Sequence, residues 1–197
     1  MHRADVVELH YITPISNLSS IKVKGILSHR RAASLPHHSV AMQEIQDRRK
    51  HKAVPGARPL HDYVNLYFSA RNPMLYKKLG EHLSICILGV SARVLDLPGT
   101  VIADGNAASG YIRFHPSPQG RAELDHTSVF AENWNDVDQF AKWEKTRRRC
   151  AEILVPDVVP PSLILHVYAS CAEAVATCQA QKIGLEAKID AHLFFRT

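Results

Sequence analysis

The sequence predicts an α+β fold on three observations. Amphipathic helical stretches concentrate early and strand-like stretches are scattered, without the regular alternation that builds a doubly wound parallel sheet. HDYVNLYFSA (61–70) alternates Val, Leu and Phe against Tyr and Asn, the period of a strand with one buried face, and LSICILGVS (83–91) is apolar and β-branched enough for a central strand. No GxGxxG follows a strand and no GxxxxGKS/T occurs, so neither a Rossmann fold nor a P-loop is supported. With 197 residues, 46% of them hydrophobic, no repeat and no low-complexity linker, the chain is expected to form a single domain over 1–197 with a real core.

In chain order, ELHYITPI (8–15) reads as the opening strand. Ser16 is placed to cap a short helix, NLSSIKVK, that stops at Gly25. A loop rich in His, Arg and Pro follows. Ser39 is then placed to cap VAMQEIQDRRK (40–50), with Val40, Met42 or Gln43, and Ile45 turned inward. After the strand at 61–70, Asn72 as N-cap and Pro73 at the first helical position give a strong helix start. ADGNAASGYIRF (103–114) reads as a turn into a short helix. NWNDVDQFAKWEKTRRR (133–149) reads as an amphipathic helix with Asn135 and Asp138 in a capping-box-like relation. AEILVP (151–156), LILHVYAS (163–170) and KIDAHLFF (188–195) read as closing strands, with a helix at 171–184 between the last two.

Charge narrows the partners. The net charge of +5 is mild, but Arg30, Arg31, Arg48, Arg49, Lys50 and Lys52 crowd one region and Lys142, Lys145, Arg147, Arg148 and Arg149 another. Clustered cations attract phosphates, so nucleic acid or a phosphate-rich small molecule is the natural partner, and a solvated helix face is the bland alternative. The four cysteines show no CxxC, and no apolar run approaches the roughly 18 residues of a membrane span. A cytoplasmic protein with reduced thiols and no membrane partner is expected. Twelve histidines fall at no metal-ligand spacing, so no metal site is expected, and the absence of GxSxG disfavours a serine hydrolase.

One acid stands out. RRRCAEILVPD (147–157) puts Glu152 at the first position of a buried strand, directly behind three arginines. An edge glutamate paired with Arg148 or Arg149 would look the same in composition.

Five blocks, taken together, resemble the DarT family of DNA ADP-ribosyltransferase toxins. They are HYITPISNLSSIKVKGIL, HSVAMQEIQDRR, HDYVNLYFSARNPMLY, ADGNAASGYIRF and RRRCAEILVPDVVP, in the family's order across most of the first 160 positions. The resemblance implies a mixed split β-sandwich with flanking helices that binds NAD as co-substrate between the sheet halves. It implies transfer of ADP-ribose to a base of single-stranded DNA, and a macrodomain antitoxin as partner.

Carried over by motif, Glu152 is the catalytic glutamate and Arg49 the essential arginine. Tyr11, Thr13 and Asn17 fall on the nicotinamide side, and Tyr67 and Met74 on the pocket wall. Family members often carry His where this chain has Tyr11 and an aromatic where it has His10, so either residue is a candidate for the first-strand role. Asn106, Trp134, Arg147, Arg148 and Arg149 are candidates for contact with DNA.

The chemistry suits these residue types. Breaking the nicotinamide–ribose bond leaves an oxocarbenium-like sugar, which one fixed carboxylate stabilises. A guanidinium is a poor base, so Arg49 is expected to position groups, by clamping the pyrophosphate or stabilising a base anion. Two alternatives remain at this stage: an RNA acceptor, and a non-catalytic nucleic-acid-binding module.

Overall fold

The computed structural model describes residues 1–196. Its ten strands are β1 (Glu8–Pro14), β2 (Ile26–Leu27), β3 (Tyr63–Tyr67), β4 (Ile85–Ser91), β5 (Val101–Ala103), β6 (Phe114–Pro116), β7 (Glu152–Pro156), β8 (Val158–Val159), β9 (Ile164–Ala169) and β10 (Ala187–Ile189). Eight of them form one sheet in the order β10-β9-β4-β1-β3-β7-β5-β6, and β2 pairs with β8 separately. The large sheet is antiparallel except for β9 and β10, which run parallel around an intervening helix.

The sheet nearly divides in two. β1 meets β4 over seven residue pairs, from Glu8↔Ser91 to Pro14↔Ile85, but meets β3 at only His10↔Tyr67. Beyond that pair the strands part. The mixed split architecture expected for the chain is therefore built here as two halves joined at a single register position, one antiparallel throughout and the other carrying the parallel β9–β10 pair.

Strand alternation sorts the side chains. Leu9, Val64, Leu66, Leu88, Val90, Ile153, Val155 and Val167 fill the main core on one face. The other face carries two smaller clusters, one around Ile12, Tyr67, Ile87 and Phe194, the other around Leu60, Tyr63, Ala103 and Leu154.

The helices are α1 (Leu18–Lys24), α2 (His29–Ala32), α3 (Gln43–Lys50), α4 (Pro73–Tyr76), α5 (His126–Val129), α6 (Gln139–Arg149) and α7 (Ala172–Ala180). Several starts differ from expectation. Residues 15–17 form a 3-10 turn, so α1 begins after Asn17 and Ser16 caps nothing. Gly25 ends α1 at φ 77°, and a Cβ there would run into the carbonyl of Val159. Ser39 binds the N–H of Ala41 at 3.1 Å, leaving 39–42 outside the helix, and α3 starts at Gln43.

Asn72 caps α4 as predicted, accepting from the N–H groups of Met74 and Leu75. α6 starts one turn later than expected, because Asp138 rather than Asn135 is its N-cap, accepting from Ala141 N–H at 2.7 Å. Residues 104–113 make no helix and link β5 to β6. Of KIDAHLFF only Lys188 and Ile189 are strand, since the chain turns at 191–195. No helix among the described residues is long and apolar enough to cross a membrane.

Candidate active site

Where β1 and β3 separate, a cleft of about 890 Å³ opens, lined by Tyr11–Pro14 from one side and Tyr63–Asn65 and Tyr67 from the other. Its volume lies toward the top of the roughly 300–1,000 Å³ range of small-molecule sites. One cross-strand row, Gly89–His10–Tyr67–Glu152–Ala103, runs through the hinge point of the sheet.

Glu152 occupies that row at the start of β7, 1% exposed, and lines the cleft. Its Oε2 accepts from Arg49 Nη1 at 2.9 Å, and its Oε1 accepts from the backbone N–H of Ala107 at 3.3 Å. Arg49 arrives from the last turn of α3 and is itself 5% exposed. Its second terminal nitrogen is buried without a protein partner. A buried carboxylate needs such compensation, since the desolvation of an unpaired charge is severe. Tyr67 stands beside the pair, and burial first and the Glu152 charge second push its phenol well above the usual range.

Around this pair the structure gathers Tyr11, Thr13, Asn17, Arg49, Tyr67, Met74, Asn106, Arg147 and Glu152 on one cleft. Asn17 ties the wall together. Its amide donates to Thr13 Oγ1 at 3.2 Å and to the carbonyl of His38 at 2.7 Å, while its oxygen accepts from His38 N–H at 3.1 Å. The 37–42 segment is thereby held over the cleft as a second wall. Burial pushes the Tyr11 phenol up to about 12.

Four expected residues lie elsewhere. His10 shares the row with Tyr67 and Glu152, yet its ring turns along β1 to Glu8, 3.2 Å away, and does not line the cleft. Of the two first-strand candidates only Tyr11 reaches the cleft. Trp134 packs edge-on against Tyr76 and Phe195 at 5.9 and 5.7 Å, outside the cleft.

The three arginines divide into three roles. Arg149 is 3% exposed and donates to the carbonyls of Val129 and Ala131 and to Ser69 Oγ. It is a buried staple with no reach to a ligand, and burial draws it down to about 10. Arg148 lies on the outer side of α6, bonded to Glu144 at 2.8 Å, and does not line the cleft. Only Arg147 reaches the cleft wall, and it is already engaged by Asp104 and Glu144, each at 3.0 Å, and by the Tyr111 carbonyl at 3.2 Å. Buried Arg149 is thereby removed from the DNA candidates, while Arg147 stands on the cleft with its charge already shared and Arg148 stands exposed away from it.

Several lining residues escaped the sequence reading, among them His29, His37, His38, Asn65, Lys77 and Trp143. The histidines sit in the segment whose composition had marked it as a His- and Arg-rich loop. His29 stacks at 4.1 Å on His61, and burial, followed by neighbouring positive charge, draws both below the usual histidine value.

A split sheet with a cleft at the split, and a buried glutamate held by an arginine at its base, has the architecture expected of an ADP-ribosyltransferase. Comparison with known proteins carries this further. The DarT family, described as ssDNA thymidine ADP-ribosyltransferase, matches residues 10–195, and the chain belongs to that family. It is 34% identical over 178 residues to a DNA ADP-ribosyl transferase–DNA ADP-ribosyl glycohydrolase fusion protein of Thermosipho africanus, covering 86% of this chain and 44% of that protein.

It is 30% identical over 170 residues to the DNA ADP-ribosyl transferase of Thermus sp. (strain 2.9), covering 81% of this chain and 79% of the relative. The chain thus spans less than half of the fusion protein and most of the Thermus one. Among solved structures, Thermosipho africanus DarTG in complex with ADP-ribose is similar at TM-score 0.83 and 30% identity, over 96% of this chain and 51% of that one. Thermus sp. 2.9 DarT in complex with ADP-ribosylated ssDNA is similar at TM-score 0.81 and 26% identity, over 96% and 97% of the two chains.

Proposed function

We propose that this chain transfers ADP-ribose from NAD+ to a thymine base of single-stranded DNA, with Glu152 as the catalytic carboxylate. The observation that carries the reading is the position of Glu152: fully buried, doubly hydrogen-bonded and at the base of a cleft of dinucleotide size. The family match and the Thermus structure with ADP-ribosylated ssDNA support the acceptor class.

In this mechanism the bond between nicotinamide and ribose C1′ breaks and nicotinamide leaves with the bonding pair. Positive charge grows on the ribose, and the Glu152 carboxylate stabilises it from a fixed position in a water-poor site. A ring nitrogen of the thymine then bonds to C1′ and gives up its proton to solvent, so that nicotinamide, the adduct and one proton are the products. Arg49 orients Glu152 through one terminal nitrogen. Its other, unpartnered nitrogen is available to a phosphate oxygen of NAD+ or to the anionic base. Tyr11, Thr13, Asn17, Tyr67 and Met74 form the wall against which the dinucleotide lies.

The fused glycohydrolase of the Thermosipho relative supports a macrodomain antitoxin that removes the modification as the partner, and hence a toxin's role for this chain. Its proposed site of action is the cytoplasm, where DNA and NAD+ coexist and where the four cysteines, all unpaired here, stay reduced.

The deciding experiment incubates the protein with NAD+ and matched DNA and RNA oligonucleotides and reads the mass of each. An ADP-ribose adduct on thymidine-containing DNA, lost in Glu152→Gln, is the expected result. Labelling of RNA alone would move the acceptor class. Oligonucleotide binding with no consumption of NAD+ would leave only a binding module.

A further inference from the structure

We propose that Tyr111, Trp143 and Phe140 form a stacking platform for the bases flanking the acceptor thymine, an inference that rests on the DNA-acceptor reading above. Phe140 and Trp143 are three apart on α6 and therefore share a face, with ring centroids 6.0 Å apart. Tyr111, from the loop between β5 and β6, meets Trp143 edge-on at 5.9 Å. These rings are exposed, at 73% for Phe140, 39% for Trp143 and 80% for Tyr111, and none belongs to a core cluster. Single exposed apolar residues are ordinary, whereas a contiguous aromatic group marks a binding surface.

Two further observations select the occupant. The platform is continuous with the cleft, since Tyr111 and Trp143 line the cavity that holds Glu152. The loop presenting Tyr111 is also the loop that holds the catalytic carboxylate, through Ala107 N–H to Glu152. That loop is braced by Arg147, which bonds Asp104 and the Tyr111 carbonyl, and by Lys52, which donates to the carbonyl of Ser109.

The backbone is thus fixed and the rings are free, a preorganised surface beside the reacting carbon. Exposed rings in succession at the edge of the cleft suit a strand that offers one π-face after another. A strand whose target base enters the cleft brings its neighbouring bases onto this surface. The arrangement also explains why Arg147, though turned to the cleft, carries no free charge for phosphate: it holds the platform.

The test measures the KM for a short thymidine-containing oligonucleotide, in parallel with a matched oligonucleotide abasic on either side of the thymidine. Trp143→Ala and Phe140→Ala each raise the KM on the order of 10-fold, the scale of one lost base stack, and Trp143→Phe recovers most of it. Phe140→Ala, at a ring 73% exposed, leaves the melting transition unchanged, so that its KM change is not a folding defect. Removing the flanking bases impairs the wild type but adds little to Trp143→Ala, because the same contact has already been lost.

Unchanged KM values in the variants, while the wild type labels DNA, overturn the platform and leave the function standing. So do equal abasic penalties in wild type and variant. Loss of antitoxin binding alone would assign the surface to a protein partner and overturn the proposal. A wild type that labels no oligonucleotide sinks both readings.

Discussion

Glu152 and Glu8 lie on the same face of the same sheet, two strands apart, and their surroundings differ in kind. Glu8 is contacted by groups that can lose or share a proton: His10 at 3.2 Å, the Tyr168 hydroxyl at 2.7 Å and His166 at 2.9 Å. Burial by itself would raise its carboxyl, but hydrogen bonds from His10 and Tyr168 outweigh that and hold it at about 2. Glu152 is contacted by a permanent cation and a backbone N–H, and borders an open cleft. Burial does not distinguish a working acid from a structural one. What separates the two is that Glu152 keeps a side open to the cleft and is paired with a guanidinium, whereas Glu8 is closed in by His10, His166 and Tyr168.

The largest effect expected from breaking this contrast is at Arg49. Arg49→Ala leaves Glu152 buried without its counter-charge, and removing one partner of a buried pair typically costs about 3–5 kcal/mol. Denaturant melts should show that loss together with loss of DNA labelling. Unaltered stability would mean that the carboxylate finds water in the cleft and that the pair contributes nothing to the fold.

Glu152→Gln keeps the shape of the side chain and removes its charge. The amide oxygen can still accept from Arg49, but the guanidinium loses its counter-charge and the amide NH2 faces the Ala107 N–H, so a stability loss is expected here too and labelling is compared at equal folded fraction. The developing charge on the ribose, however, loses its partner, and transfer should fall by about 10²–10³ or more. A Glu152→Gln protein that retains most of its labelling activity, measured as adduct formed per minute, would remove the glutamate from the mechanism.

Glu8→Gln should spare activity and cost stability in a pH-dependent way. The folded Glu8 carboxyl lies at about 2 against an ordinary 4.5, so the unfolded chain binds its proton first as pH falls. Its contribution is therefore fully present above about pH 4.5 and is lost between there and about pH 2. The linked free energy is at most about 3 kcal/mol. Urea melts from pH 2 to 6 should show wild type and Glu8→Gln converging at the acid end. Curves that stay parallel would mean that Glu8 is not held by this network.

How much of this was legible beforehand depends on the range of the interaction. Asn72-Pro73 gave the start of α4 and Gly25 the end of α1, because caps are written within four residues. The strands at β3, β4 and β7 followed from alternation and β-branching. The stretch 103–114 reads as a turn into a short helix, and the helix does not form. The loop's conformation is set by Arg147, more than thirty residues on, and by the demand of Glu152 for the Ala107 N–H, neither of which leaves a local pattern.

The same holds for the site. Glu152 stood out locally as an acid opening a buried strand behind three arginines, but its role and its pairing with Arg49 were reachable only through family resemblance, since that contact joins residues 103 apart. Trp134, just before the long helix, was named as a DNA candidate and Trp143 was not considered. The fold packs Trp134 on the C-terminal turn and leaves Trp143 at the cleft.

A third carboxylate calibrates the comparison at its weak end. Glu144, on α6, is held at about 2 chiefly by its hydrogen bond from Arg147, with Arg148 adding a second. Arg148→Ala removes that second donor and a 3.9 Å ion pair to Asp125, at a site where the guanidinium is 42% exposed and where Glu144 keeps Arg147 at 3.0 Å. Exposed pairs of this kind contribute about 0–1 kcal/mol, so the melting transition should barely move, and any change should vanish at high salt. Because Arg148 does not line the cleft, labelling of DNA should also stay within a few-fold of wild type, against the 10²–10³ expected at Glu152. A loss of activity at Arg148 approaching that of Glu152 would place the strand's phosphates on the outer side of α6. The path of DNA would then have to run over the helix rather than along the aromatic rings beside the cleft.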